Sequence, residues 1–114
     1  MAYNTKLADR IREALVDLPN ITEKEMFRGV CFMVNDKMCV CVSGDEMMCR
    51  IGAEEAEMAL ENNYVRQMMS RGIPMKDYVY VSEEAWHNQK DFDSWVKLCL
   101  DFNPKAKASK KKGK

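Results

Sequence analysis

The chain is 114 residues long, 46% apolar and 32% charged, with a formal net charge of zero. That length holds one modest hydrophobic core and excludes two, and the composition excludes wholesale disorder. No apolar run is long enough to span a bilayer, and Met1–Arg10 carries charges where a secretory signal would be apolar, so a cytoplasmic chain with no membrane partner is expected.

The spacing predicts a first helix over Asn4–Leu18. Leu7, Ile11, Leu15 and Leu18 form one stripe, Asn4 is the N-cap, and Pro19-Asn20 ends the helix. A charged strand over Thr22–Phe27 follows, with Gly29 as a bend or bulge. Val30–Val34, the Asn35-Asp36 turn, Lys37–Ser43, the Gly44-Asp45 turn and Glu46–Ile51 read as three strands in two tight hairpins. Hairpins this tight set a register. In the first, 34 pairs with 37, 33 with 38, 32 with 39 and 31 with 40. In the second, 43 pairs with 46, 42 with 47, 41 with 48 and 40 with 49.

This register puts Cys31, Met33, Met38, Val40, Val42, Met47, Cys49 and Ile51 on the helix-facing side. The opposite, mixed face receives Val30, Phe32, Val34, Lys37, Cys39, Cys41, Ser43, Glu46, Met48 and Arg50. Its centre is apolar and its ends, near the turns, are polar.

A short helix is expected over Ala53–Glu61, with Ala56, Ala59 and Leu60 inward, then strands over Val65–Met69 and Met75–Val81 around a Ser70-Arg71-Gly72 turn. In the second of these, Val79 and Val81 oppose Tyr78 and Tyr80. The final helix runs over Asp91–Phe102, on a stripe of Phe92, Trp95, Val96, Cys99 and Phe102. Ser82–Lys90 is its irregular lead-in, capped by Ser82. The order α-β-β-β-β-α-β-β-α predicts a two-layer α+β domain over 1–102, with helices on one face of a curved antiparallel sheet.

The zero net charge hides an asymmetry. Residues 103–114 contain Lys105, Lys107, Lys110, Lys111, Lys112 and Lys114 and no acid. Residues 1–102 have twelve basic and eighteen acidic residues, a body charge of −6. An acidic body does not suggest specific nucleic-acid binding, and the Lys-rich tail from 103 reads as disordered.

Five cysteines, an odd number, sit inside apolar segments, so all five thiols are expected free, with no pair close enough to bond in this register. Ten methionines are ascribed to core packing. His87 is the only histidine, and no phosphate loop, nucleophile elbow or Cys-x-x-Cys pair is present. No catalytic, cofactor or metal residue is therefore assigned. Cys39 and Cys41 offer two soft donors on the mixed face, with no further ligand pair beside them.

Several motifs occur in a fixed order: Ala2-Tyr3 with Leu7-Ala8 and Arg10-Ile11-Arg12, Met26-Phe27-Arg28-Gly29, Cys31-Phe32-Met33-Val34-Asn35, and Arg50-Ile51-Gly52. Pro74-Met75-Lys76 running into Tyr78-Val79-Tyr80-Val81, then Ser94-Trp95-Val96, complete the set. Over nearly all of 1–102 this resembles the TfoX N-terminal domain family. The chain has Arg28-Gly29 where the family has Gly-Gly, and Cys39-Val40-Cys41 where it has adjacent cysteines. The resemblance implies an α+β domain with a curved antiparallel sheet, shaped like secretion chaperones, with no catalytic residues. In longer members a second, helical domain follows, and the whole acts as a coregulator of competence genes.

The expectation is a non-catalytic interaction or regulatory module that self-associates as a homodimer or binds another protein. Its surface is expected at Val30, Phe32, Cys39, Cys41 and Met48, extended by Tyr78 and Tyr80. The alternative is a small-ligand or thiol-dependent binding protein using the same face.

Overall fold

A computed structural model of the chain describes residues 3–26 and 29–106. Phe27, Arg28 and the tail lysines from Lys107 onward, on which some of the expectations fell, lie outside them. The described residues form an α+β domain. α1 (Thr5–Ala14) is followed by β1 (Ile21–Met26), β2 (Gly29–Val34), β3 (Lys37–Ser43) and β4 (Glu46–Arg50). α2 (Ala53–Ala59), β5 (Val65–Ser70), β6 (Ile73–Val81), α3 (Glu83–Trp86) and α4 (Gln89–Phe102) complete it. The six strands make one antiparallel sheet in the order β1-β2-β3-β4-β6-β5.

Local chemistry explains the ends of most elements. Asn4 caps α1 by accepting from the Leu7 amide at 2.9 Å, and its own amide donates to the Gly44 carbonyl at 2.8 Å, tying the helix to the β3–β4 turn. Asn35 and Asp36 have φ of 55° and 66°, the left-handed pair that a two-residue hairpin requires. The segment expected as an irregular lead-in to the last helix is a separate short helix, α3. Asn88 then caps α4 by accepting from the Asp91 amide at 2.9 Å. α1 ends before Leu18, so that side chain is exposed instead of completing the stripe. Leu60, just past α2, is exposed too.

The helices cover one face. Leu7, Ile11 and Leu15, Ala56, Ala85 and Trp86, with Phe92, Val96 and Cys99, pack in one cluster with the inner side chains of the sheet. Arg10 of α1 lies over the Phe92 ring at 4.3 Å and donates to the His87 carbonyl at 3.1 Å, joining α1 to the α3–α4 connection.

The register of the first hairpin differs from the sequence reading. Val34 pairs with Lys37 and Met33 with Met38, as expected. The register then shifts: Phe32 pairs with Val40, Cys31 with Cys41 and Val30 with Val42. Cys39 is an extra residue on β3, a β-bulge, and both Cys39 and Val40 join the helix-facing core. The faces of β2 are therefore inverted. Val30, Phe32 and Val34 point to the helices, and Cys31 joins the cluster on the outer face. Met33, two residues on, shares that outer side. β4 and the part of β3 beyond the bulge keep their expected faces.

The first residues of the segment expected as a disordered tail from 103 pack against the domain. Asn103–Lys105 form a 3-10 turn, and Asn103 and Ala106 are buried. The Asn103 side-chain amide donates to the Val34 carbonyl at 3.1 Å, and Lys37 donates to the Asn103 carbonyl at 3.1 Å. Both interactions hold the end of α4 against the β2–β3 turn.

Phe32 is fully buried beneath α1, with the Arg12 guanidinium 5.7 Å from its ring. Phe32→Glu is expected to unfold the protein, because it removes a buried ring worth about 3–5 kcal/mol and buries a carboxyl without a partner, together comparable with a small domain's total stability, on the order of 5–15 kcal/mol. Loss of near-native ellipticity at neutral pH checks this. A folded variant would place Phe32 outside the core.

Candidate interaction surface

The seven residues expected to form an exposed patch divide between two buried clusters. Val30, Phe32 and Cys39 belong to the helix-facing core. Cys41, Met48 and Tyr78 are together on the outer face with Cys31 and Met68, and Tyr80, Met38 and Met75 pack around them. This second cluster is covered by the protein itself: Cys41 and Met48 are each 1% exposed and Tyr78 is 8% exposed. Only Tyr80 keeps part of its surface in water. Six of the seven residues expected as an exposed apolar patch are therefore buried within the protein.

The covering comes from the β5–β6 hairpin. Its register slips between Gln67 and Met69, so Met75–Tyr78 of β6 bow out opposite Met68 alone. Ladder carbonyls freed in this way need other donors. The Gln67 side-chain amide supplies them, donating to the Met75 carbonyl at 2.8 Å and the Tyr78 carbonyl at 3.2 Å. The Asp77 carbonyl accepts from the Ile51 and Gly52 amides, at 2.9 and 3.1 Å, where the chain enters α2. The irregularity places Met68, Met75 and Tyr78 over the outer cluster, and Arg50 lies against the Tyr78 ring at 5.3 Å.

The same bow opens a groove of about 470 Å³ between α2 and the hairpin, lined by Ala53, Glu57, Leu60, Gln67, Pro74 and Lys76. Ala53, Glu57 and Leu60 recur at i, i+4 and i+7, the spacing of one face at the end of α2. Met69 pairs with Pro74 and so shares its side of the hairpin. Among the described residues, five of the large apolar side chains left exposed fall within 58–73: Met58, Leu60, Tyr64, Met69 and Ile73. Sequence reasoning put Leu60 inside and Met69 in a strand without noting its exposure. The available signal was the placement of Met69 and Ile73 next to a turn at the end of the sheet, where nothing remains to cover them.

The cysteines also differ from expectation. Cys31 and Cys41, brought opposite each other by the bulge, form a disulfide across the hairpin, with Cα atoms 4.1 Å apart. The expectation of five free thiols fails because it rested on the unbulged register. Cys39, Cys49 and Cys99, the last on α4, are free and buried in the helix-facing core. Hydrogen bonding to Cys99 and burial push the Cys39 thiol far above its ordinary value of 9.0. Burial does the same to Cys99. Neither is a thiolate nucleophile near neutral pH. Among the described residues no group of three or more His, Cys, Asp or Glu side chains is placed to hold a metal ion. His87 is exposed, with Nδ1 3.6 Å from the Glu83 carboxylate. No helix among the described residues is long and apolar enough to cross a membrane.

The family model described as TfoX N-terminal domain matches residues 13–103. Among curated proteins and among solved structures, no significant match is found.

Two measurements check the thiol assignment. Alkylation of unreduced protein after unfolding is expected to give three adducts, on Cys39, Cys49 and Cys99; five would mean that the Cys31–Cys41 bond is absent. The raised thiols also set a pH dependence. The folded chain keeps Cys39 and Cys99 protonated while the unfolded chain ionises them, so their contribution is complete below pH 9 and is lost as pH rises above it. The loss is about 1.4 kcal/mol per pH unit for each thiol. Urea midpoints at pH 8 and pH 10 should fall less steeply in Cys39→Ala/Cys99→Ala than in the parent chain.

Proposed function

The chain belongs to the TfoX N-terminal domain family, and from that membership we propose that it is a non-catalytic, competence-regulator-like interaction module. It works by self-association through the groove and hairpin tip at the β5–β6 end of the sheet. The observation that carries this is the run of exposed apolar side chains within 58–73, of which Leu60 lines the groove and Met69 is paired with its Pro74, on a body that is otherwise acidic. Grouped exposed apolar surface of this kind favours a partner, and a symmetric pair of identical chains is the commonest form of such a contact.

The two edges of the sheet support this choice of end. β1, at one edge, exposes Glu23, Lys24 and Glu25, charges that discourage strand addition. β5, at the other, has a single charged residue, Arg66, already paired with Glu46 and lying over the Tyr80 ring at 4.4 Å. Beyond Arg66, β5 offers Met69 to solvent. The groove itself brings together one carboxylate, one ammonium and apolar walls, a set suited to docking and lacking a nucleophile.

Met69→Glu/Ile73→Glu tests the reading with two exposed positions that leave both clusters intact. Light scattering is expected to give a dimer mass for the parent chain and a monomer mass for the variant, with unchanged circular dichroism. A dimer that survives both substitutions would rule out this surface. A parent chain that stays monomeric at its highest soluble concentration would rule out self-association.

A further inference from the structure

The outer cluster concentrates sulfur that the interaction reading does not use. Cys31 pairs with Cys41, and Cys41 pairs with Met48, so the three stand in one row across β2, β3 and β4. Each is at most 1% exposed. Met68 packs into the same cluster, with Met38 and Met75 beside it. Directly opposed side chains on neighbouring strands have Cβ atoms about 4.5–5.5 Å apart, within the span of a methionine thioether. Once reduced, the row holds two thiols and a thioether and no carboxylate or imidazole; soft donors of that class take Cu(I), and three of them fall short of the four that a structural zinc site requires. The sequence offers Cys39 and Cys41 as a soft pair. The bulge turns Cys39 to the other face and puts Cys31 in its place.

We propose that the reduced Cys31/Cys41 pair, with the Met48 thioether, binds one Cu(I) ion. The pair is closed as a disulfide in the structure, so a dithiol reductant opens it first. Two thiols form on the protein and the reductant becomes a disulfide. Binding then releases two protons, because two thiols and Cu⁺ give a bis-thiolate complex of net charge −1. A buried anion needs a positive partner. The Arg50 guanidinium is on the same face, donating to the Met38 carbonyl at 3.2 Å and lying against Tyr78. Met68 and Tyr78 close over the row and keep bulk water from the complex.

This inference is independent of the proposed self-association. To test it, the full chain is reduced under argon and titrated into Cu(I) held by bicinchoninate, whose loss of colour counts the copper transferred. One Cu(I) per reduced chain is expected, and none for chain kept as the disulfide. Cys41→Ala should abolish transfer, and Met48→Leu, close in volume and so expected to fold, should weaken binding about tenfold. Cys39→Ala should bind like the parent chain. The proposal is overturned if the reduced parent chain takes no copper from the chelator, or if folded Cys41→Ala or Met48→Leu retains it fully. Loss of binding in folded Cys39→Ala would also overturn it, assigning the ion to the inner thiols.

Discussion

A strand with one residue more than its partner must turn two consecutive side chains toward the same side of the sheet. Here that residue is Cys39, and much of the sheet's arrangement follows from it. The shift sends Phe32 under α1 and places Cys31 across from Cys41. At the far end of the hairpin β2 and β3 approach very closely. A Cβ on Gly29 would stand 1.7 Å from the Val42 carbonyl oxygen, so any larger residue there would push the two strands apart. Glycine at one end of the pair and a bulge at the other hold the same register.

Much of this fold was legible in the sequence. Asn4 as cap, Asn35-Asp36 and Gly44 as turns, the stripe of Leu7, Ile11 and Leu15, and the alternation of Val79 and Val81 with Tyr78 and Tyr80 each rest on a local rule, and the structure follows them. The bulge was not legible, because Cys39 carries no conformational signature of its own and tight turns argue for unbroken pairing. One signal pointed the other way. Val30, Phe32 and Val34 put an aromatic ring between two β-branched side chains on one side of β2, against only Cys31 and Met33 on the other, and the larger set is the one a helix layer buries. The candidate surface was read worse than the fold, since it inherited the inverted face of β2 and assumed that only helices can cover a sheet.

The outer cluster shows how a two-layer domain buries the other face of its sheet without a third layer. The bowed part of β6 and Met68 of β5 reach back over β3 and β4, and methionine, flexible and unbranched, fills the uneven space left beneath them. The same bow that closes this face leaves the hairpin tip uncovered. Exposed Met69 and Ile73 are thus a by-product of burying Met48 and Tyr78.

The carbonyl of Asp77 has a mechanical role as well. It accepts from the two amides through which the chain enters α2, so one wall of the groove is bonded to the start of the other. Phe102, at the end of α4, backs the same corner: a Cβ on Gly52 would lie 2.8 Å from its ring. Helix and hairpin are therefore joined at this corner by main-chain hydrogen bonds. On the proposed reading, a partner entering between them meets walls already set at their final spacing, and little of its binding energy is spent on ordering the receptor.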